Sequence, residues 1–371
     1  MSKWVTAKLG DVSTIITGPF GSQLHQSDYV SKGIPIVMPQ NIADRKINYD
    51  SINYISEEDA QRLKRYTTQT NDILYARRGD VEKHAFITER ESGVYCGTGC
   101  LRVRITSENI EPLFLSFFLN GEKTKRWLVT HAVGSNMPNL NTDILSNVPV
   151  SYPTLGTQKK IANTLNYFDQ KISVNRKIND NLHSQMCLLY EQLMSKAISK
   201  QIQGDFVCAK ELTEVITGKE DANFSAPDGL YKFFTCSNTP LQCNEYAFDS
   251  SSILIAGNGD FNVKHYSGKF NAYQRTYVLT PPSEYYSLLY MASLYRINSF
   301  KSKSSGSIVK FITKGDVENI PLFIPTETSI LKELNKLISL KERNSFENEE
   351  LSRLRDWLLQ ILMNRQATIE D

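Results

Sequence analysis

The sequence predicts an α+β protein of two similar globules, each followed by a long α-helix, with the two helices pairing as an antiparallel coiled coil. Three observations predict it. The chain has 371 residues, enough for two domains with a core each. A set of short motifs occurs twice, in the same order. Each set is followed by a stretch whose apolar residues recur at alternating steps of four and three. The segments are residues 1–153, 154–203, 204–325 and 326–371.

The first globule carries Ile16-Thr17-Gly18, then Asp72-Ile73-Leu74-Tyr75-Ala76-Arg77-Arg78-Gly79-Asp80, then Gly134-Ser135 leading to Asn147-Val148-Pro149 and Pro153. The second answers with Ile216-Thr217-Gly218, Ser252-Ile253-Leu254-Ile255-Ala256-Gly257-Asn258-Gly259-Asp260, and Gly306-Ser307 leading to Asn319-Ile320-Pro321 and Pro325. Four matches in one order point to duplication. Ile-Leu-x-Ala before a Gly-Asp turn reads as a short buried strand ending where a positive φ is needed. Val148-Pro149-Val150 and Ile320-Pro321-Leu322 read as edge strands, since proline cannot donate to a central ladder. Pro112–Trp127 and Ser283–Asn298, rich in Leu, Phe and Tyr, read as helices covering the sheet.

After the first globule, Ile161, Leu165, Phe168, Ile172, Asn175, Asn179, Leu182, Met186, Leu189 and Leu193 form an unbroken seam, with no Pro or Gly from Gln158 to Gln203. At 1.5 Å per residue, Lys159 to Ser199 would span roughly 60 Å. After the second globule the pattern returns at Ile330, Leu334, Leu337, Lys341, Asn344, Asn348, Leu351, Arg355, Leu358 and Leu362. Both seams are apolar at the ends and polar in the middle. Asn175 and Asn344, and Asn179 and Asn348, occupy equivalent positions. A buried asparagine weakens a seam but penalises wrong register, because slippage strands its amide. The expectation is that the helices pack together and that these asparagines fix their alignment.

The composition, 40% hydrophobic, 22% charged and 10% aromatic, is that of a globular protein. No apolar run approaches a membrane span and the amino terminus has no signal-peptide core, so a cytoplasmic location without membrane partners is expected. Six cysteines in a chain this long suggest free thiols. Cys96 and Cys100 lack the further ligands a zinc site needs. His25, His84, His131, His183 and His265 show no paired spacing. The sequence has no Walker phosphate loop, no Asn-Pro-Pro-Tyr-type motif and no Gly-rich methyl-donor loop. A catalytic role therefore has no evident home. The net charge of +2 neither demands nor forbids a nucleic-acid partner.

Two globules on a helical spacer suit recognition of two separated half-sites, which lie about 34–36 Å apart when one DNA turn divides them. The stretch Gly134-Ser135-Asn136-Met137-Pro138-Asn139-Leu140-Asn141, with Val148-Pro149-Val150-Ser151-Tyr152-Pro153, Gln158-Lys159-Lys160-Ile161-Ala162 and Phe168-Asp169-Gln170-Lys171-Ile172, resembles the specificity subunits of type I restriction–modification systems. Asp72–Asp80 resembles them too. The likeness runs over essentially the whole chain and is weaker before the second helix, where Thr326–Ser329 replaces the Gln-Lys-Lys region. It implies two target recognition domains reading a bipartite site in double-stranded DNA. It also implies a helical platform for two adenine methyltransferase subunits, and restriction motor-nuclease subunits that complete the complex. S-adenosylmethionine, ATP and magnesium would be used by those partners, with no cofactor bound by this chain.

Base edges are read by Arg, Lys, Asn and Gln, and phosphates take Lys, Arg, Ser, Thr and backbone amides. Loops with glycine that carry such residues are the DNA-binding candidates. In the first globule these are Gly18, Ser22, Gln23, Gln40, Asn41, Arg77, Arg78, Lys83, Ser135 and Asn136. In the second they are Asn238, Asn258, Lys264, Lys301, Lys303, Ser307 and Lys310, the last four in a basic loop suited to phosphate. The rival reading, from near-neutral charge, is a protein–protein scaffold that meets no DNA.

Overall fold

The structure, a computed structural model, describes residues 4–43, 45–134, 138–259, 261–303, 311–367 and 369, and for 299–303 the backbone alone. Two compact units emerge: Met1–Lys171 with Leu351–Asp371, and Ile172–Glu350. Each globule carries parts of both long helices, whereas the sequence segments give every helix a segment of its own.

In the first unit, Val5–Lys8 pairs antiparallel with Pro149–Tyr152. A helical turn, Leu9–Val12, leads into a four-stranded sheet in the order Ser13–Thr17, Cys100–Ile105, Ile73–Ala76, His84–Phe86. All its pairings are antiparallel. A second sheet runs Tyr95–Cys96, Ile34–Val37, Asn53–Ile55, Tyr29–Val30. The sequence Ile73-Leu74-Tyr75-Ala76 shows no polar alternation because both of its faces are covered. Ile73 and Tyr75 pack with Leu115, Leu119 and Leu128 of the covering helices. Leu74 and Ala76 pack with Val37, Cys96 and Cys100. The expected Pro112–Trp127 helix is two helices, Pro112–Leu119 and Glu122–His131. Asn120 and Gly121 return their N–H groups to the last carbonyls of the first, and Gly121 restarts the second in an extended conformation.

The second unit repeats this plan. Gly204–Cys208 pairs antiparallel with Pro321–Pro325, and the helical turn Ala209–Leu212 follows. A six-stranded sheet runs Val215–Thr217, Thr276–Leu279, Phe248–Ala256, Val263–Ala272, Tyr231–Phe234, Leu241–Cys243. Phe248–Ala256 is longer than the short strand expected at Ile253–Ala256, because Phe248–Ser251 continues along Val263–Ala272. The Tyr286–Lys303 helix covers the sheet through Leu288, Leu289 and Met291. Pro149 and Pro321 each open a strand of a two-stranded sheet, where a missing N–H costs no ladder bond.

The long helices are Leu155–Ile198 and Ser329–Met363. Within the first unit, Ile161, Ala162 and Leu165 of one and Leu359 and Leu362 of the other enclose Phe114 and Phe117. Within the second, Leu182, Met186 and Leu193 share a core with Leu331, Leu334 and Leu337. Asn175, 1% exposed, donates to Asn348 Oδ1 at 3.0 Å and to Glu347 Oε2 at 2.8 Å. Asn344 donates to Asn179 Oδ1 at 3.0 Å, and Asn179 to the Lys341 carbonyl at 3.2 Å and Ser345 Oγ at 3.1 Å. Antiparallel packing thus crosses the equivalent positions, so the first asparagine of one helix meets the second of the other. No described helix is long and apolar enough to cross a membrane.

Candidate nucleic-acid interface

Strand register brings most of the candidate loops of the first unit to one place. Thr17 stands opposite Leu101, Ala76 opposite Cys100, and Tyr75 opposite His84. The chain therefore leaves strands at Thr17 and Ala76, and enters them at Cys100 and His84, at the same end of the sheet. The Gly97–Gly99 loop is stitched to its neighbours. Gly18 N–H donates to the Cys100 carbonyl at 2.9 Å, Arg77 N–H to the Gly99 carbonyl at 2.8 Å, and Thr98 Oγ1 to the Pro19 carbonyl at 2.9 Å. Gly97 N–H reaches the Val37 carbonyl at 2.9 Å, so the turn Pro39–Asn41 joins the same edge. Leu140 N–H binds the Arg77 carbonyl at 2.8 Å, which adds the segment after Val133.

At this edge Ser22, Gln40 and Arg78 are exposed. Gln23 is half-buried and accepts from the Tyr66 hydroxyl at 2.7 Å. Arg77 is half-buried, with Nε donating to the Leu140 carbonyl at 3.2 Å. Lys83 is exposed and ion-paired with Asp80. Two candidates have tasks inside the domain instead. Asn41 is 1% exposed, accepts from Met38 N–H at 3.0 Å and donates to the Asn48 carbonyl at 3.2 Å, so its amide staples its own turn. Gly18 is buried, and a Cβ there would lie 2.0 Å from the Gly97 carbonyl oxygen. The close approach that demands glycine is to its own chain. Ser135 and Asn136 lie outside the described residues.

The second unit places corresponding loops together. Gly218 N–H donates to the Thr276 carbonyl at 3.1 Å, and Gly257 N–H to the Arg275 carbonyl at 2.8 Å. Tyr273 N–H donates to the Phe234 carbonyl at 2.9 Å, and Asn262 Nδ2 to the Cys236 carbonyl at 2.8 Å. Asn238 is exposed and Asn258 half-buried. Lys264 is half-buried. Its ammonium donates to the Thr235 carbonyl at 3.2 Å and also binds Asn262 Oδ1, and burial lowers its pKa to about 8. It holds two loops together. Lys301 and Lys303 fall at the end of the Tyr286–Lys303 helix and not in a loop as expected, and their side chains, with all of Ser307 and Lys310, lie outside the described residues. Sequence reasoning missed Thr98, Gln274 and Arg275, because Gly97–Gly99 and Tyr273–Arg275 carry no repeated motif.

The glycine ending Ile-Thr-Gly is explained twice over, since a Cβ on Gly218 would lie 2.0 Å from the Ala272 carbonyl oxygen. Gly218→Ala is expected to cost about 1–3 kcal/mol by overpacking. Chemical denaturation of the purified variant checks this, and a midpoint equal to the unaltered protein's contradicts it.

Behind the first unit's edge, a polar chain runs into the helices. His84 Nε2 and Ser116 Oγ are 3.1 Å apart, and Arg45 Nε donates to Ser116 Oγ at 3.0 Å. Arg45 NH1 meets Asp169 Oδ2 at 2.6 Å, while Arg355 NH1 meets Asp169 Oδ1 at 2.6 Å. In the second unit His265 Nδ1 lies 2.8 Å from Glu342 Oε1, which also accepts from the Tyr286 hydroxyl at 2.8 Å. Cys96 and Cys100 are fully buried. Burial pushes the Cys96 thiol up to about 12 and raises Cys100 as well, so both stay neutral.

A family described as the type I restriction modification DNA specificity domain matches residues 1–184 and 205–353. The chain is 40% identical over 167 residues to the type I restriction enzyme EcoDI specificity subunit of Escherichia coli, covering 43% of this chain and 38% of that subunit. It thus spans well under half the length of that relative. A match at 22% identity to the putative MjaX specificity subunit of Methanocaldococcus jannaschii covers 99% of this chain and 94% of that one. A crystal structure of the type I S subunit from M. genitalium shares the fold, with a TM-score of 0.59 and 17% identity over 97% of this chain and 96% of that chain.

Proposed function

Because the chain belongs to the type I restriction-modification DNA specificity family, we propose that it is a non-catalytic subunit that reads a bipartite DNA site. Each unit reads one half through the loops at one end of its sheet. The paired helices set the spacing and offer the platform on which two adenine methyltransferase subunits assemble, and motor-nuclease subunits join for restriction. S-adenosylmethionine, ATP and magnesium serve those partners, and the complex acts on DNA in the cytoplasm.

The observation that carries this reading is that equivalent loops converge at one sheet end in both units while their exposed side chains differ. Arg78, Gln40 and Ser22 stand at one edge, and Asn238, Gln274 and Arg275 at the other. A shared frame with unlike reading groups is what a non-palindromic target requires. Direct readout of a base pair by a bidentate side chain is worth about 1–3 kcal/mol.

The test is co-expression with the partner methyltransferase and sequencing of methylated adenines in host DNA. The full chain is expected to give one bipartite motif. Arg77→Ala with Arg78→Ala is expected to cut methylation by roughly 10-fold or more, from the energy of one base contact. Full methylation by the double variant would remove these arginines from the interface. Assembly without any DNA motif would favour the scaffold reading.

A further inference from the structure

We propose that Arg275 is the specificity-determining residue of the second unit, doing there what Arg77 does in the first but supplied from the facing loop. This rests on the DNA-reading function above. The two units share one backbone hydrogen bond at the sheet end. Arg77 N–H donates to the Gly99 carbonyl, and Gly257 N–H to the Arg275 carbonyl, each at 2.8 Å. Arg77 and Gly257 directly follow Ala76 and Ala256, while Gly99 and Arg275 directly precede Cys100 and Thr276. Those flanking residues are register partners, Cys100 with Ala76 and Thr276 with Ala256. Arg77 is therefore equivalent to Gly257, and Gly99 to Arg275.

In both units one member of the pair is arginine and the other glycine, in opposite order. Sterics explain why only one side chain is seated. A Cβ on Gly257 would lie 2.8 Å from the Arg275 carbonyl oxygen and 3.1 Å from Tyr277 Cε2. Gly99 has φ +80°, and a Cβ there would lie 3.1 Å from Pro39 Cγ. Each unit thus seats one arginine at this hydrogen bond, from opposite loops. Arg275 is exposed, whereas Lys264 spends its ammonium on Thr235 and Asn262. The ligand class that fits an exposed guanidinium at a reading edge is the O6/N7 edge of guanine in a G·C pair.

The experiment compares Arg275→Ala and Arg275→Lys with the unaltered chain, each co-expressed with the partner methyltransferase, by sequencing methylated adenines genome-wide. Arg275→Ala is expected to relax discrimination by roughly 10-fold or more at one base pair in one half of the motif. The other half should stay intact. Arg275→Lys, which keeps the charge but loses the planar fork, is expected to relax the same position. Equal melting temperatures confirm folding. An unchanged motif at full rate overturns the proposal. So does an unchanged motif with a uniform loss that Arg275→Lys repairs, since that marks a phosphate contact. Failure of the underlying reading looks different, because the unaltered chain would then give no motif at all.

Discussion

Asp169→Ala is expected to destabilise the first unit by about 3–5 kcal/mol, the usual cost of removing one partner from a buried ion pair. Two cations depend on this carboxylate. Arg45 NH1 and Arg355 NH1 each approach one of its oxygens at 2.6 Å, and the exposures of Arg45, Arg355 and Asp169 are 8%, 15% and 15%. The Arg45 guanidinium also lies 3.5 Å from the Phe117 ring centroid and donates to Ser116, so it cannot swing out to water without losing those contacts. Alanine would leave two guanidinium groups close together without the carboxylate between them, although Arg355 keeps the exposed Asp356 at 2.8 Å. For a unit of this size the melting temperature should fall on the order of 10 °C. Arg45→Met is expected to cost less, because Asp169 keeps Arg355 and the new side chain still covers Phe117. Differential scanning calorimetry of both variants decides it. An Asp169→Ala protein that melts with the unaltered one would show that water already screens the pair.

Asp169 also shows what a sequence can and cannot reveal. The seam from Ile161 to Leu193 was legible because helical periodicity is local. The duplication was legible because Ile-Thr-Gly and Ile-Leu-x-Ala recur in order. The partners of those residues are long-range, and they were not legible. Asp169 sits between Phe168 and Gln170 with nothing to announce Arg45, far away on a turn between two short strands. Gly18 and Asn41 carry the signature of a ligand-facing loop, since glycine and asparagine are chosen alike for close approach to DNA or to the chain's own carbonyls. Only the Gly97 carbonyl and the Asn48 carbonyl separate the two cases. Arg275 is not legible in the sequence, for the opposite reason. The repeated motif falls on Gly257-Asn258-Gly259, whereas the arginine stands on the other side of the same hydrogen bond. The asparagine pairs follow this pattern too. Position in the repeat aligns Asn175 with Asn344, but antiparallel packing sets Asn175 against Asn348.

Acidification from pH 8 to pH 5 is expected to destabilise both units, starting near pH 6.5. Burial, with Arg45 and Lys125 nearby, drives the His84 pKa down to about 3. Burial also lowers His265, with Lys341 adding to it, and this outweighs the pull of Glu342. His183 is lowered by burial, Lys341 and His265. All three imidazoles thus stay neutral in the folded protein at neutral pH. The unfolded chain, with histidines near 6.5, binds more protons below that pH, so stability falls as pH falls. For His84 alone the loss by pH 5 is about 2 kcal/mol, taking 1.36 kcal/mol per pH unit. Glu342 adds a later phase. Burial works to raise it, but hydrogen bonds from His265, Tyr286 and Ser267 hold it below the ordinary carboxylate value. Its contribution is present above about pH 4.5 and drains away as pH drops further. Melting temperatures at pH 8, 7, 6 and 5 measure the slope, and His84→Gln removes the first unit's share without removing hydrogen-bonding capacity toward Ser116. A flatter profile for His84→Gln is the expected result. A stability maximum at pH 5 in the unaltered protein would mean that His84 reaches water, and that the polar chain from His84 through Ser116 and Arg45 to Asp169 is open rather than buried.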